Sequence, residues 1–297
     1  VYPKFEKERE VQSITVQKIW KDEGVAFKKH DNVGSMVGIG CVIERPKVVF
    51  CAKTGKFVMY FHLELKTEPM TYASALVGIA VNDLPTGLFT YLGSRRPNAG
   101  VWPQGTDPAA MTPQVMSRAC EIASCKNGGV NDRVKETPHP YAATFWRGQT
   151  SRDQTLFVDE DGKAYHICSS ESNTTLHINE LTDDYLDFTG RYIRIFPGRR
   201  LEAPAIFIHD GRYYMMMSGC TGWAPNPGHS ASAPSIWGPW EEMGNPCVGE
   251  GRETTFDSQS TFFITLDDGR VIYMGARWRP ENAIDGRYVW LPVEFNE

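Results

Sequence analysis

One kind of hairpin turn recurs four times along the chain, and no other feature restricts its fold as strongly. Each copy is a Gly, a basic residue and then an apolar or aromatic strand. The copies are Thr54-Gly55-Lys56-Phe57-Val58-Met59-Tyr60, Asp161-Gly162-Lys163-Ala164-Tyr165-His166-Ile167, Asp210-Gly211-Arg212-Tyr213-Tyr214-Met215 and Asp268-Gly269-Arg270-Val271-Ile272-Tyr273. Asp-Gly between two apolar runs is a strong local hairpin signal. The four glycines stand 107, 49 and 58 residues apart. The first gap is about twice the others, so it holds an insertion or a further unit.

A polar residue opens the strand before each turn. Glu44 stands 11 residues before Gly55, Asp153 9 before Gly162, Glu202 9 before Gly211, and Gln259 10 before Gly269. The strands between are Val48-Val49-Phe50, Thr155 to Val158, Ala205 to Ile208 and Thr261 to Ile264. A second element recurs further on, as Pro85 to Tyr91 and Ile236-Trp237-Gly238-Pro239-Trp240. Short strands with a repeat of roughly 50 residues read as β-propeller blades. The innermost strand of each blade runs along the propeller axis, so Glu44, Asp153, Glu202 and Gln259 are expected around one pocket. The whole chain, 1–297, reads as a single all-β propeller domain. Residues 93–150 form a long polar insertion, with a short helix expected over 108–123. It is expected to cap the pocket, with Arg133, His139, Tyr141, Trp146 and Arg147 as contacts.

Composition removes several classes. Lys and Arg number 31 against 36 Asp and Glu, a net charge of −5, which argues against a nucleic-acid partner. No apolar run approaches the roughly 18 residues of a membrane span. Aromatic residues make up 12% of the chain, and their faces suit sugar rings. Cysteines number seven, so at least one is unpaired within the monomer. Cys120 and Cys125 are close enough to bridge a loop, whereas Cys41, Cys51, Cys168 and Cys220 read as buried thiols. No ligand spacing calls for a metal. The chain opens on Val1 without a signal-like segment, so its terminus neither shows nor excludes export.

Glycoside hydrolysis needs a carboxylic acid that protonates the leaving oxygen and a second group that activates water or attacks. A further carboxylate commonly tunes the acid. Glu44, Asp153 and Glu202 supply that number. Taken singly, Glu44 before Arg-Pro reads as a surface residue and Asp153 after Arg152 as a salt-bridged strand start. Glu202 precedes Ala-Pro-Ala-Ile-Phe and is hard to read as a solvated charge. Gln259 has no useful basicity as an amide. It positions a sugar hydroxyl or the attacking water, or accepts a proton as an imidic tautomer. In Ser218-Gly219-Cys220-Thr221-Gly222-Trp223-Ala224-Pro225-Asn226, Trp223 either stacks on a sugar or packs between blades. Arg277-Trp278-Arg279-Pro280 and Arg287 to Pro292 close the chain; the latter reads as a strand pairing back onto the first blade, with Trp290 in the core.

The chain resembles glycoside hydrolase family 43, in the branch of the exo-β-1,3-galactanases and related furanosidases. The resemblance rests on Glu44-Arg45-Pro46-Lys47-Val48, Ser151-Arg152-Asp153-Gln154-Thr155-Leu156-Phe157, Glu202-Ala203-Pro204-Ala205-Ile206-Phe207, Ser218 to Asn226, Ser258-Gln259-Ser260-Thr261 and Arg287 to Pro292. It implies a five-bladed propeller, exo action and inversion at the anomeric carbon. By position it makes Glu202 the general acid, Asp153 the residue that tunes it and Gln259 the stand-in for the usual base. Candidate substrate contacts are Glu44, Arg152, Thr221, Trp223 and Arg277. The implied substrate is a plant arabinogalactan-type polysaccharide, cut as by a galactan 1,3-β-galactosidase. The alternatives are an α-L-arabinofuranosidase, a β-D-galactofuranosidase or a non-catalytic sugar-binding propeller. No cofactor is required, a structural calcium ion stays open, and the expected location is extracellular or periplasmic. The family's usual first strand, with an Ala-His-Gly-Gly-like segment, is not in this sequence. The first blade is therefore expected to be incomplete, with Val16 to Phe27 as its outer part.

Overall fold

The computed structural model describes residues 3–6, 22–31, 34–123 and 139–295. Its strands are β1 (Pro3–Glu6), β2 (Val42–Cys51), β3 (Lys56–Glu64), β4 (Leu76–Asn82), β5 (Thr90–Arg95), β6 (Gln154–Val158), β7 (Ala164–Ser170), β8 (Thr175–Leu181) and β9 (Phe188–Ile195). They continue as β10 (Leu201–His209), β11 (Arg212–Gly219), β12 (Gly228–Ala233), β13 (Glu241–Gly244), β14 (Cys247–Val248), β15 (Gln259–Thr265), β16 (Val271–Arg277) and β17 (Arg287–Phe295). Two compact units result, Glu23–Arg200 and Val1–Asp22 with Leu201–Glu297, called here the central and C-terminal units.

The central unit holds two antiparallel sheets, β2-β3-β4-β5 and β6-β7-β8-β9. Strand β3 shows why they pack. Side chains alternate across a strand with period two, so Val58 and Tyr60 face one core with Ile79, Leu156 and Leu181. Met59, Phe61 and Leu63 face a second core with Val37, Cys41 and Phe89. The C-terminal unit holds β10-β11-β12-β13 and the sheet β14-β1-β17-β16-β15. Ala205, Phe207, Tyr214 and Met216 from the first pack on Phe263, Tyr273, Leu291 and Val293 from the second.

All four repeated turns join the first two strands of a blade. Gly55, Gly162, Gly211 and Gly269 have φ of 69°, 79°, 70° and 82°, which L side chains adopt only under strain. The tightest is Asp210-Gly211, where His209 pairs directly with Arg212 and both turn residues have positive φ. That is the two-residue turn whose twist matches paired strands. The second recurring element also keeps one place, joining β4 to β5 and β12 to β13.

The fold is an all-β propeller fold, but the described strands make four sheets where five blades are implied. Residues 16–21, the first half of Val16 to Phe27, lie outside the described residues. Strand β17 pairs with β16 and with the N-terminal strand β1, not with β2. The backbone edge of β17 is therefore satisfied from the N-terminus.

In the insertion, a 3-10 turn at Pro108–Ala110 and helix α1 (Pro113–Ala123) occupy the stretch expected to be helical. Cys125 and Arg133 lie outside the described residues. Cys41, Cys51 and Cys168 are buried free thiols, whereas Cys220 is only half-buried because it opens the loop after β11. Tyr141 is a core residue of the insertion and not an open contact. It is 4% exposed, its hydroxyl meets His139 Nδ1 at 2.9 Å, and the Arg194 guanidinium lies 4.3 Å above its ring.

Arg194 is held in turn by buried Glu171. Its Nε and Nη2 donate to Oε1 and Oε2 at 2.5 and 2.8 Å, and His177 Nε2 lies 2.8 Å from Oε1. Burial alone would raise the Glu171 carboxyl, but the bonds from Arg194 and His177 outweigh it and hold the pKa down at about 2. A folded pKa below the unfolded value stabilises the protein above the unfolded pKa, and this is lost as pH falls through the folded one. Glu171→Gln leaves the part-buried Arg194 charge without its partner, so it is expected to cost up to about 3 kcal/mol near neutrality, the low end for breaking a buried pair. In urea titrations at a series of pH values, the gap between wild type and variant should narrow from about pH 5 down to about pH 2. A gap independent of pH would show that the charge of Glu171 is not what stabilises the unit.

Candidate active site

In the C-terminal unit the site is built on two bulged strands. Glu202, near the start of β10, pairs in register with Ser218 on β11. The register then slips between Glu202 and Ala205, with Ala203 at φ 54°. A bulge of this kind re-aims the neighbouring side chain, and a left-handed alanine costs about 1–2 kcal/mol. Strand β15 slips likewise just after Gln259, between Ser260 and Phe262. Ser260 Oγ donates to Ala203 O at 2.5 Å, so each irregularity supports the other. Glu202 and Gln259 thereby take fixed places around one residue, since Gln259 Nε2 donates to Ser218 Oγ at 2.8 Å.

The other end of the Gln259 amide accepts from Trp278 Nε1 at 2.8 Å. An indole N–H only donates, so it must face the carbonyl oxygen, and this fixes which way the amide points. Gln259, Trp223, Asp257, Arg277, Trp278 and Arg279 line a cavity of ≈ 300 Å³. Trp223 is 55% exposed and meets Trp278 edge to face, with centroids 5.5 Å apart. It is therefore a cavity wall and is not packed between blades.

Two expected contacts have local work of their own. Thr221 is not among the cavity residues. Its hydroxyl donates to Ala224 O at 2.6 Å and accepts from Asn226 Nδ2 at 2.7 Å, closing the loop after β11. Arg277 does line the cavity, but its Nε and Nη2 both donate to Phe256 O, at 3.2 and 2.9 Å. Thr255, Phe256 and Asp257 all have φ of 50–56°. Strained residues in a row persist only where neighbours over-determine them, and Arg277 supplies that constraint just before Gln259.

The central unit gathers the remaining candidates. Glu44 lies on β2 beside a bulge between Glu44 and Lys47, with Arg45 at φ 52°. The next side chain, Arg45, is buried and donates from Nη2 to Asp153 Oδ2 at 2.8 Å. Lys47 is buried in the same place. Burial and the Arg45 charge bring its ammonium down to about 7 against the opposing pull of Asp153. Tyr72 OH donates to Glu44 Oε1 at 3.0 Å, and Arg152 Nη2 donates to Tyr72 O at 2.9 Å. Glu44, Arg152 and Asp153 thus belong to one polar cluster, with Arg152 acting on the backbone that carries Tyr72. In the insertion Trp146 is 76% exposed and Arg147 is exposed. Among the described residues, no three His, Cys, Asp or Glu side chains group as metal ligands.

The sequence does not single out Tyr72, His62 or Glu64, and it gives Ser218 and Trp278 only as members of longer segments, without a role of their own. The visible signal for two of them is His62 inside the otherwise apolar run Phe57 to Leu63 and Glu64 two positions on, at the end of the same strand.

Residues 123–289 match the family model described as glycosyl hydrolases family 43. Among solved structures, a family-43 β-1,3-galactosidase with galactodeoxynojirimycin is 45% identical, with a TM-score of 0.80, over 94% of this chain and 79% of its own. An exo-β-1,3-galactanase from Clostridium thermocellum is 32% identical, with a TM-score of 0.67, over 90% of this chain and 49% of its own. One from Phanerochaete chrysosporium, with β-1,3-galactotriose, is 30% identical, with a TM-score of 0.66, over the same shares of the two chains. The chain thus spans most of the first of these structures and about half of the other two. Comparison with curated proteins gives no match. The chain belongs to glycosyl hydrolase family 43 and is a glycoside hydrolase.

Proposed function

We propose that this glycoside hydrolase acts from the chain end and releases galactose from β-1,3-linked galactan, with inversion. The observation that carries the reading is the 45% identity to a β-1,3-galactosidase over nearly the whole chain. The cavity agrees in kind, since two tryptophans and a fixed amide suit one face and the hydroxyls of a pyranose. Glu202 is the general acid, Asp153 the residue that tunes it, and Gln259 takes the place of the base. Glu44, Arg152 and Trp223 contact substrate directly or through their neighbours. The four described blades support the propeller, and a count of five rests on the resemblance. A polymeric plant glycan as substrate supports an extracellular or periplasmic location.

The test is a panel of β-1,3-galactan, arabinogalactan and arabinan with the first product identified. Galactose as the only early product from the β-1,3-galactan is expected. Early release of arabinose from arabinan, with galactan untouched, would replace this reading with an arabinofuranosidase. Binding without release would make the chain a sugar-binding propeller.

A further inference from the structure

Glu44 does not stand alone in its strand pair. His62 on β3 is its register partner across the sheet. The imidazole is buried, and its Nδ1 lies 3.1 Å from Glu44 Oε2, an ion-pair contact off the hydrogen-bond line. Its Nε2 lies 2.9 Å from Oε1 of Glu64. The side chains of His62 and Glu64 are 2% and 1% exposed, that of Glu44 27%. An ionised carboxylate offers only acceptors, and a neutral imidazole has one donor nitrogen. With a carboxylate oxygen at each nitrogen, a neutral ring would turn a lone pair toward one of them. The arrangement calls for an imidazolium.

Glu64 is anchored beyond His62. Its Oε2 accepts from the Ser74 N–H at 2.8 Å, and the Ala75 N–H lies 3.1 Å from both oxygens. Residues 65–75, which follow it, carry Tyr72, whose hydroxyl returns to Glu44. Arg96 Nε donates to Ser74 O at 2.9 Å, and Arg152 donates to Tyr72 O. Glu44, His62, Glu64 and the Tyr72 loop therefore form one closed ring of contacts, and only Glu44 of the three charged members reaches the surface.

We propose that His62 is a positioning residue for substrate binding: as a buried imidazolium it holds the Glu44 carboxylate and the Tyr72 loop in register to receive a sugar. The inference rests on the galactosidase reading and on Glu44 as a substrate contact. The charged groups facing the ring are Glu44 from β2 and Glu64 from β3, with the Tyr72 ring 6.3 Å away; Arg96 and Arg152 act on the loop behind them. Burial pulls the imidazolium down, but the close contacts and charges of the two glutamates outweigh it and hold His62 above the usual histidine range. A raised folded pKa means that the contact is intact at lower pH and is lost as pH rises through that value.

The experiment has two arms on the full chain. In the first, 15N NMR of the histidine side chains, assigned by comparison with His62→Gln, follows ring protonation. Two protonated ring nitrogens at neutral pH are expected, and a neutral His62 there overturns the proposal. In the second, KM and kcat on β-1,3-galactobiose are measured against pH. For wild type, KM should stay flat and then rise as His62 loses its proton. His62→Gln keeps one donor nitrogen but no charge, so KM at neutral pH should rise about tenfold or more with kcat within about twofold. Its KM should also lose the alkaline rise. A variant of lower melting temperature with unchanged KM would reduce His62 to a packing role. If that variant does not fold, Tyr72→Phe removes the hydroxyl from the same ring and should raise KM; an unchanged KM overturns the proposal. Wild-type chain that releases no galactose refutes the galactosidase reading instead, while the NMR arm still reports on the ring.

Discussion

Glu202→Gln is expected to lower kcat on β-1,3-galactan by at least about 10²-fold, the low end for loss of a general acid, with the fold intact. The glutamine keeps the length of the side chain and the strand pairing with Ser218, so the bulge supported by Ser260 should persist. What disappears is the proton for the leaving oxygen. The loss must then depend on the leaving group. A nitrophenyl galactoside departs as a weakly basic phenolate and needs little protonation, so its kcat should fall much less than that of the glycan. Equal losses on both substrates would take the acid role away from Glu202. Circular dichroism and the melting temperature of the variant show whether the comparison is made on folded protein.

The parts of this molecule that a sequence reveals are those where backbone geometry restricts residue choice. Four glycines at positive φ mark the first hairpin of each blade because few other residues sit there without strain. The shared phase of Glu44, Glu202 and Gln259 has a physical cause as well. Each is followed by a slip in strand register, so each bulge re-aims a polar side chain at the same stage of its blade. Asp153 keeps the phase but lies just before β6, so it is presented by a strand end and not by a bulge.

Contacts made across sequence distance were not legible. Thr221 and Arg277 stand in segments rich in site residues, yet both spend hydrogen bonds on backbone carbonyls of nearby turns. Tyr141 looked like an open aromatic in a capping loop, and it is buried beneath Arg194, whose partner Glu171 belongs to a different hairpin. His62 and Glu64 interrupt an apolar strand, but only the fold shows that the interruption faces Glu44. The pairing of β1 with β17 is hidden for a similar reason, because it joins segments far apart in the sequence and leaves no local signal.

Gln259→Ala is expected to reduce turnover by roughly 10²–10⁴-fold, the range associated with proton transfer by a positioned group. An amide is a poor base, so the geometry around it must explain such an effect. Trp278 claims the oxygen and Ser218 takes one N–H from the nitrogen. The second position on that nitrogen carries a hydrogen in the amide and a lone pair in the imidic tautomer. In the first form Gln259 orients the attacking water; in the second it accepts the water's proton. Either way water attacks directly, with no covalent intermediate, and a β-linked substrate yields the α anomer first. Inverting enzymes leave room for that water, with catalytic groups roughly 6.5–9.5 Å apart instead of about 5–5.5 Å. Alanine in place of Gln259 opens space for a small anion. Added azide should then restore turnover and give the α-glycosyl azide. Gln259→Glu sharpens the choice between the two forms. Trp278 can still donate to one carboxylate oxygen and Ser218 can donate to the other, so a true base position should retain activity that falls on acidification. If water orientation by an amide is the whole role, that variant should be as poor as the alanine. Proton NMR of the first-formed galactose decides the stereochemistry: a β anomer would overturn inversion and make Glu44 the candidate nucleophile.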